Sequence, residues 1–371
     1  MSLSTMSLFK TAHFSSLNGL RGFAVLIVFF AHLSNDDMHL LPLLDFSGIG
    51  KSGVYLFFIL SSFLLSFQLL NSKRGILNRS ALGHYCKRRF QRIYPLYMLY
   101  LLCGLISTWV FSNYFNITKH AVPFPLSFHE FLEHLILLDG KGVTWSIAVE
   151  FKFYIILPFI AFTITLLAKY KKLIAFVFIL ALCILSLLVF KGENLVANDS
   201  SLFPYSLVFL GGILTAFTQL FFVTNFIKTK INQLFVYLLN IFLLSCFLIS
   251  IPSIYSIILP DEPIYYFGNN LLFFSLLWGT VILFCINSKN AFYGIFDSKV
   301  LAFFGAISFS FYLIHPVIIG IFQFFEIDTL FNGLIILAIT TLISKITYEY
   351  IEKPCLNIEF PSKNFIFKKT D

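Results

Sequence analysis

Long apolar runs alternate with short polar stretches along the chain, and the runs are too long for soluble helices or strands. Ten stand out, at 17–34, 52–71, 92–112, 144–168, 172–190, 203–223, 233–252, 266–286, 300–322 and 330–351. Each approaches the ~20 residues that a helix needs to cross a hydrocarbon core of about 30 Å. Apolar character within a run is continuous and does not alternate residue by residue, which excludes a transmembrane barrel. In lipid a segment has to satisfy its own backbone hydrogen bonds. The pattern therefore predicts an all-α integral membrane protein, a bundle of about 10 transmembrane helices forming a single membrane domain over residues 1–371.

Composition agrees. Hydrophobic residues make up 58% of the chain and charged residues 12%, where a soluble domain would carry about a quarter charged. The net charge of +8 raises the question of nucleic acid, but the basic residues border apolar runs, and a positive-inside topology accounts for them. With the N-terminus in the cytoplasm, the inner loops collect Lys73, Arg74, Arg79, Lys87, Arg88, Arg89, Arg92, Lys169, Lys171, Lys172, Lys228, Lys230, Lys289 and Lys299. The C-terminal tail adds Lys353, Lys363, Lys368 and Lys369. Outer loops hold only Lys51, Lys119, Lys141 and Lys191, beside the acids Asp36, Asp37, Asp45, Asp261, Glu262, Glu326 and Asp328. An even number of spans with both termini cytoplasmic satisfies every loop. Arg21 interrupts the first run and no small-residue cleavage site follows, so this run is expected to stay as a signal anchor. The chain ends about twenty residues after the last run, which predicts no appended soluble domain. None of the six cysteines falls in a predicted outer loop, so no disulfide is expected, and their spacing fits no metal site.

Ionisable groups inside spans are costly and mark functional candidates. Arg21 and His32 lie eleven residues apart in the first run. Eleven steps of 100° return to nearly the same helix face, ~16 Å further along, so the two are expected to line one internal cavity. Histidine titrates near neutral pH and suits a proton acceptor, whereas Arg21 also fits a headgroup anchor. Before the third run, Lys87, Arg88, Arg89 and Arg92 form a cationic patch. It fits either anionic lipid headgroups or a phosphate ligand matched by arginine forks. Glu150 lies about two turns into the fourth run, with Trp145 and Ser146 at its mouth. A buried carboxylate needs a partner; His32 and His315 are the candidates at matching depth, and a polar clamp between helices is the structural alternative. Such a pair would hold the imidazole in one tautomer, as in hydrolytic triads. The ninth run carries Ser308, Ser310, Tyr312 and His315, and Pro316 predicts a kink beside His315. Serines and glycines there and at Gly53, Ser61 and Ser62 read as close helix packing. Tyr348, Glu349, Glu352 and Lys353 read as an anchor at the inner interface.

Taken together, LNGLRGFAVLIVFFAHL, GVYLFFILSSFLLS, KRRFQRIYP, TWSIAVEFKFYIILP, FSFYLIHP and YEYIEKP resemble, in order, the motifs of the acyltransferase-3 family of membrane O-acyltransferases. The resemblance spans residues 17–354. It implies an acyl donor, usually acetyl-CoA, taken from the cytoplasm, and transfer to a hydroxyl of an extracytoplasmic sugar such as O-antigen or other surface polysaccharide. It points to a bacterial inner membrane. It also implies catalytic roles for His32, Arg21 and Glu150 and donor binding by Arg88, Arg89, Arg92 and Tyr94. Trp145, Ser146, Tyr312 and His315 become candidates for the acceptor or a developing oxyanion. Acyl-CoA, the glycan and membrane lipids are the expected partners, with no nucleic acid and no metal; oligomeric state has no signature in the sequence. Two positions depart from the family: Asn18 stands where an aspartate is usual, and Ser62 where a glycine is usual. The expected reaction has His32 deprotonate the sugar hydroxyl, with Glu150 orienting His32; an acyl-histidine intermediate is the other route. The reading from a different class is a proton-coupled transporter or flippase using the same ionisable groups.

Overall fold

Among the described residues the apolar runs fold as helices. The computed structural model describes residues 15–38, 45–72, 78–115, 123–190, 198–223, 233–260, 270–287, 291–327 and 332–358, which are helical with no strand. Lys73, Arg74, Lys119, Lys191, Lys228, Lys230, Asp261, Glu262, Lys289, Asp328, Lys363, Lys368 and Lys369, on which part of the topology argument rests, lie outside the described residues.

The main helices are α1 (Ser15–Asn35), α2 (Gly50–Leu70), α3 (Arg79–Phe115), α4 (Phe128–Leu135), α5 (Trp145–Tyr170), α6 (Lys172–Val189) and α7 (Ser206–Thr218). They continue with α8 (Gln233–Ile249), α9 (Pro252–Ile258), α10 (Leu271–Asn287), α11 (Ala291–Phe296), α12 (Lys299–Ala306), α13 (Ser308–Phe324), α14 (Asn332–Thr347) and α15 (Lys353–Leu356). Seven helices among the described residues are long and apolar enough to cross a membrane, or nine if two sharply bent pairs each count once. The remaining predicted span holds α10, apolar but only 17 residues long.

Three boundaries depart from the sequence reading. The third helix begins at Arg79, carries Arg88, Arg89 and Arg92 within it, and continues past Pro95. The seventh span ends at Ile249, and α9 leaves it at 101°; Pro252 has no N–H to continue the ladder and opens the new helix. In the ninth span the break lies at Ile307, between α12 and α13, which meet at 77°. Pro316 sits inside the continuous helix α13, so the kink expected there is displaced by nine residues.

The second helix is the hub. It packs against α1, α5, α7 and α10, and small residues allow the close approaches. A Cβ on Gly212 would come within 2.7 Å of the Ser62 Cβ, and the Ser62 hydroxyl donates to the Phe209 carbonyl at 2.5 Å. The serine where glycine is usual is thus housed by a glycine opposite. Apolar side chains also cover the outside: Leu173, Val177, Ile184 and Leu188 on α6 are exposed, a surface suited to lipid and not to water.

Candidate functional site

Backbone-to-backbone packing sets the first helix. A Cβ on Gly19 would stand 1.7 Å from the Phe296 carbonyl oxygen, on Gly22 2.1 Å from that of Leu301, and on Gly305 1.9 Å from that of Asn18. Only glycine admits these contacts. Asn18 then donates its side-chain amide to the Ala302 carbonyl at 2.9 Å, which an ionised aspartate has no proton to do.

So placed, Arg21 lines a pocket among α1, α2, α3, α5 and α13. Arg89 and Arg92 from α3 face it, with Ser61, Glu150 and Tyr154. Ser146, Ser308 and Tyr312 add polar groups, and Phe57, Phe58 and Phe309 contribute an aromatic wall. The Ser61 hydroxyl donates to Glu150, and the Tyr154 hydroxyl donates to the same carboxylate at 2.5 Å. Arg89 lies 5.8 Å from the centre of the Tyr154 ring. Among the described residues neither Arg21 nor Arg89 has a hydrogen-bond or ion-pair partner. Arg92 stands 3.9 Å from Glu352. Three cations around one cavity carboxylate leave an excess of positive charge inside an apolar bundle, a setting that favours an anionic ligand.

His32 and His315 lie beyond this cavity and meet each other, Nδ1 of His32 standing 2.9 Å from Nε2 of His315. The rings stack at 5.0 Å. Tyr312 connects the two regions: it lines the cavity, its ring lies 5.8 Å from that of His315, and its hydroxyl reaches Ser146 at 2.8 Å and donates to the Val143 carbonyl at 3.0 Å.

Several sequence expectations need correction. Arg21 lines the cavity but His32 does not, so the shared face of α1 opens on two neighbouring places. Glu150 pairs with Ser61 and Tyr154, whereas the partner of His32 is His315. Among the arginines of α3, Arg88 is exposed and donates to His84 at 3.0 Å, away from the cavity. Tyr94 donates to the Leu135 carbonyl at 2.6 Å and secures α4. Trp145 is buried between Phe58 and Tyr205. Glu352 is no interfacial anchor: it is buried and accepts from Ser310 at 2.9 Å. Sequence reasoning missed Tyr154, although it lies one turn from Glu150 on the same face, and read Ser61 only as packing.

The family described as an acyltransferase domain matches residues 14–349. The chain is 25% identical over 389 residues to the O-acetyltransferase OatA of Staphylococcus aureus strain NCTC 8325, covering 98% of this chain and 60% of that protein. It is 24% identical over 386 residues to SACOL0978 of Staphylococcus aureus strain COL, provisionally named an O-acetyltransferase, covering 93% of this chain and 58% of the relative. The chain thus spans about 60% of the length of the curated relatives it matches. No solved structure matches.

Proposed function

Because this chain belongs to the acyltransferase domain family, we propose that it is a membrane O-acetyltransferase, drawing the acetyl group from cytoplasmic acetyl-CoA and passing it to a hydroxyl of an extracytoplasmic sugar. The observation that carries the reading is the convergence of Arg21, Arg89 and Arg92 on one pocket. Their excess charge suits the phosphates of a nucleotide-bearing donor. Its thioester arm follows α1, along which Arg21 and His32 are ~16 Å apart, passing Phe57 and Tyr312. The acceptor enters from the opposite side, with both chain termini cytoplasmic. O-antigen and other surface polysaccharides of a bacterial cytoplasmic-membrane pathway are the acceptor class.

In this mechanism His32 takes the proton of the sugar hydroxyl, the oxygen attacks the thioester carbonyl, the carbon–sulfur bond breaks, and the proton passes from His32 to the departing thiolate. Tyr312 and Ser146 are assigned to the oxyanion, a role for which a hydroxyl proton turns from the Val143 carbonyl to the substrate.

The test compares surface-glycan acylation by mass spectrometry in cells carrying the wild type or His32→Ala at matched expression. An acetyl-sized mass present with the wild type and lost in the variant is the expected result. Acylation that survives the substitution overturns the role of His32, and a glycan unchanged by either protein overturns the acceptor class.

A further inference from the structure

Between α1 and α13 three groups form one hydrogen-bonded chain. A backbone carbonyl only accepts, so the His315 Nδ1, 3.0 Å from the Phe311 carbonyl oxygen, carries a proton. A neutral imidazole has one N–H and one bare nitrogen. His315 Nε2 is therefore the acceptor, and the His32 Nδ1 facing it at 2.9 Å is the donor. That leaves the His32 Nε2 bare. We propose that His315 is a positioning residue: it holds His32 with its proton on Nδ1 and presents Nε2 as the atom that takes the proton of the acceptor hydroxyl. The inference rests on the reading of the chain as an acyltransferase with His32 as its base.

Burial separates the two roles. His315 has no exposed surface, so it touches no substrate, whereas His32 is only half-buried. Phe29 and Phe311 pack their rings 6.2 and 6.3 Å from that of His315. This apolar surround offers few competing partners and disfavours a charge on His315. Among the described residues no carboxylate bonds either ring; the nearest candidate by sequence, Glu150, is engaged by Ser61 and Tyr154. The assigned tautomer is the one that a free histidine side chain disfavours in water, so its presence requires a partner of this kind. With the substrate proton on Nε2, His32 becomes a cation and its bond to His315 becomes charge-assisted. When Nε2 releases that proton to the thiolate, the pair returns to its starting state.

The experiment uses the full chain in lipid nanodiscs with 15N-labelled histidine. Nitrogen shifts assigned by single-histidine substitutions are expected to show His32 protonated at Nδ1 and bare at Nε2. His315→Ala is expected to release His32 to a mixture of tautomers. It lowers kcat by roughly tenfold or more and leaves the KM for acetyl-CoA unchanged. His315→Gln, whose side-chain carbonyl can accept from His32, is expected to recover part of both the tautomer and the rate. A wild-type His32 protonated at Nε2, or a tautomer and kcat indifferent to His315→Ala, overturns the proposal. The nitrogen shifts are read without any turnover, so a failure of the acyltransferase reading, seen as no transfer by the wild type, is distinct from a failure of this one.

Discussion

Ser310 donates its hydroxyl to Glu352 at 2.9 Å, joining the interior of one helix to the end of the last membrane helix. The other carboxylate oxygen stands 3.9 Å from Arg92, so a buried acid backs a cavity arginine. Glu352→Leu leaves that arginine without its counter-charge and is expected to cost about 3 kcal/mol, read as a lower thermal-unfolding midpoint in detergent. Glu352→Gln keeps an acceptor for Ser310 and costs less. On the proposed function, it adds to the positive excess of the cavity and lowers the KM for acetyl-CoA while kcat changes little.

Arg88 and Arg89 are adjacent in sequence and opposite in place. Arg89→Ala removes a cavity cation and is expected to weaken acetyl-CoA binding by about 1.5–3 kcal/mol, the range of a charge-assisted hydrogen bond. Arg88→Ala is expected to change it less than twofold. Calorimetric titration in nanodiscs compares the two, and equal losses contradict the assignment.

Glu150→Gln is expected to act on donor binding, because its carboxylate faces the arginine cavity and bonds Ser61 and Tyr154. Histidine nitrogen shifts in the variant should match those of the wild type. A changed His32 tautomer would mean that Glu150 orients the imidazole after all.

Glycines divide by surroundings. Gly305→Ala drives a methyl group into the Asn18 carbonyl and is expected to destabilise the fold by about 1–3 kcal/mol or more. Gly320→Ala, with nothing within 4 Å of the added carbon, is expected to be neutral or to stabilise by up to about 1 kcal/mol through helix propensity. Thermal-unfolding midpoints of the pair report the contrast.

The short helix α4 has a pH-dependent start. The Ser127 backbone N–H, then its hydroxyl and Lys141, hold Glu130 below the ordinary carboxylate value of 4.5. A carboxyl lowered on folding contributes stability that is fully present above its unfolded value and is lost as pH falls through the folded one. Hydrogen-exchange protection across residues 127–135, corrected for the intrinsic rate at each pH, should therefore fall below about pH 4.5, and Glu130→Gln should remove that dependence.

Hydrophobic pattern made the helices legible because the length of an apolar run reports directly on a membrane crossing. It also brought out Arg21, Glu150 and the two histidines, since charge inside such a run has few explanations. Partners were not legible. Helical periodicity says which face a side chain occupies but not which helix lies opposite, so Glu150 was matched to His32 by depth alone. Glu352 carried a usable signal: Glu349 has Lys353 one turn away at 2.6 Å, whereas Glu352 has no cation at that spacing and needed a tertiary one. The break at Ile307 was not legible because Gly305, two residues before it, also fits close helix packing, and Pro316 drew attention to the wrong turn.

Arg21 and His32 are carried by one uninterrupted helix, and Gly19 and Gly22 seat it on the backbone of its neighbours with no side chain in between. Such a mounting has almost no play. The separation of the arginine and the histidine is therefore a fixed length in the fold, about 16 Å of helix, and serves as a ruler for a ligand that lies along both.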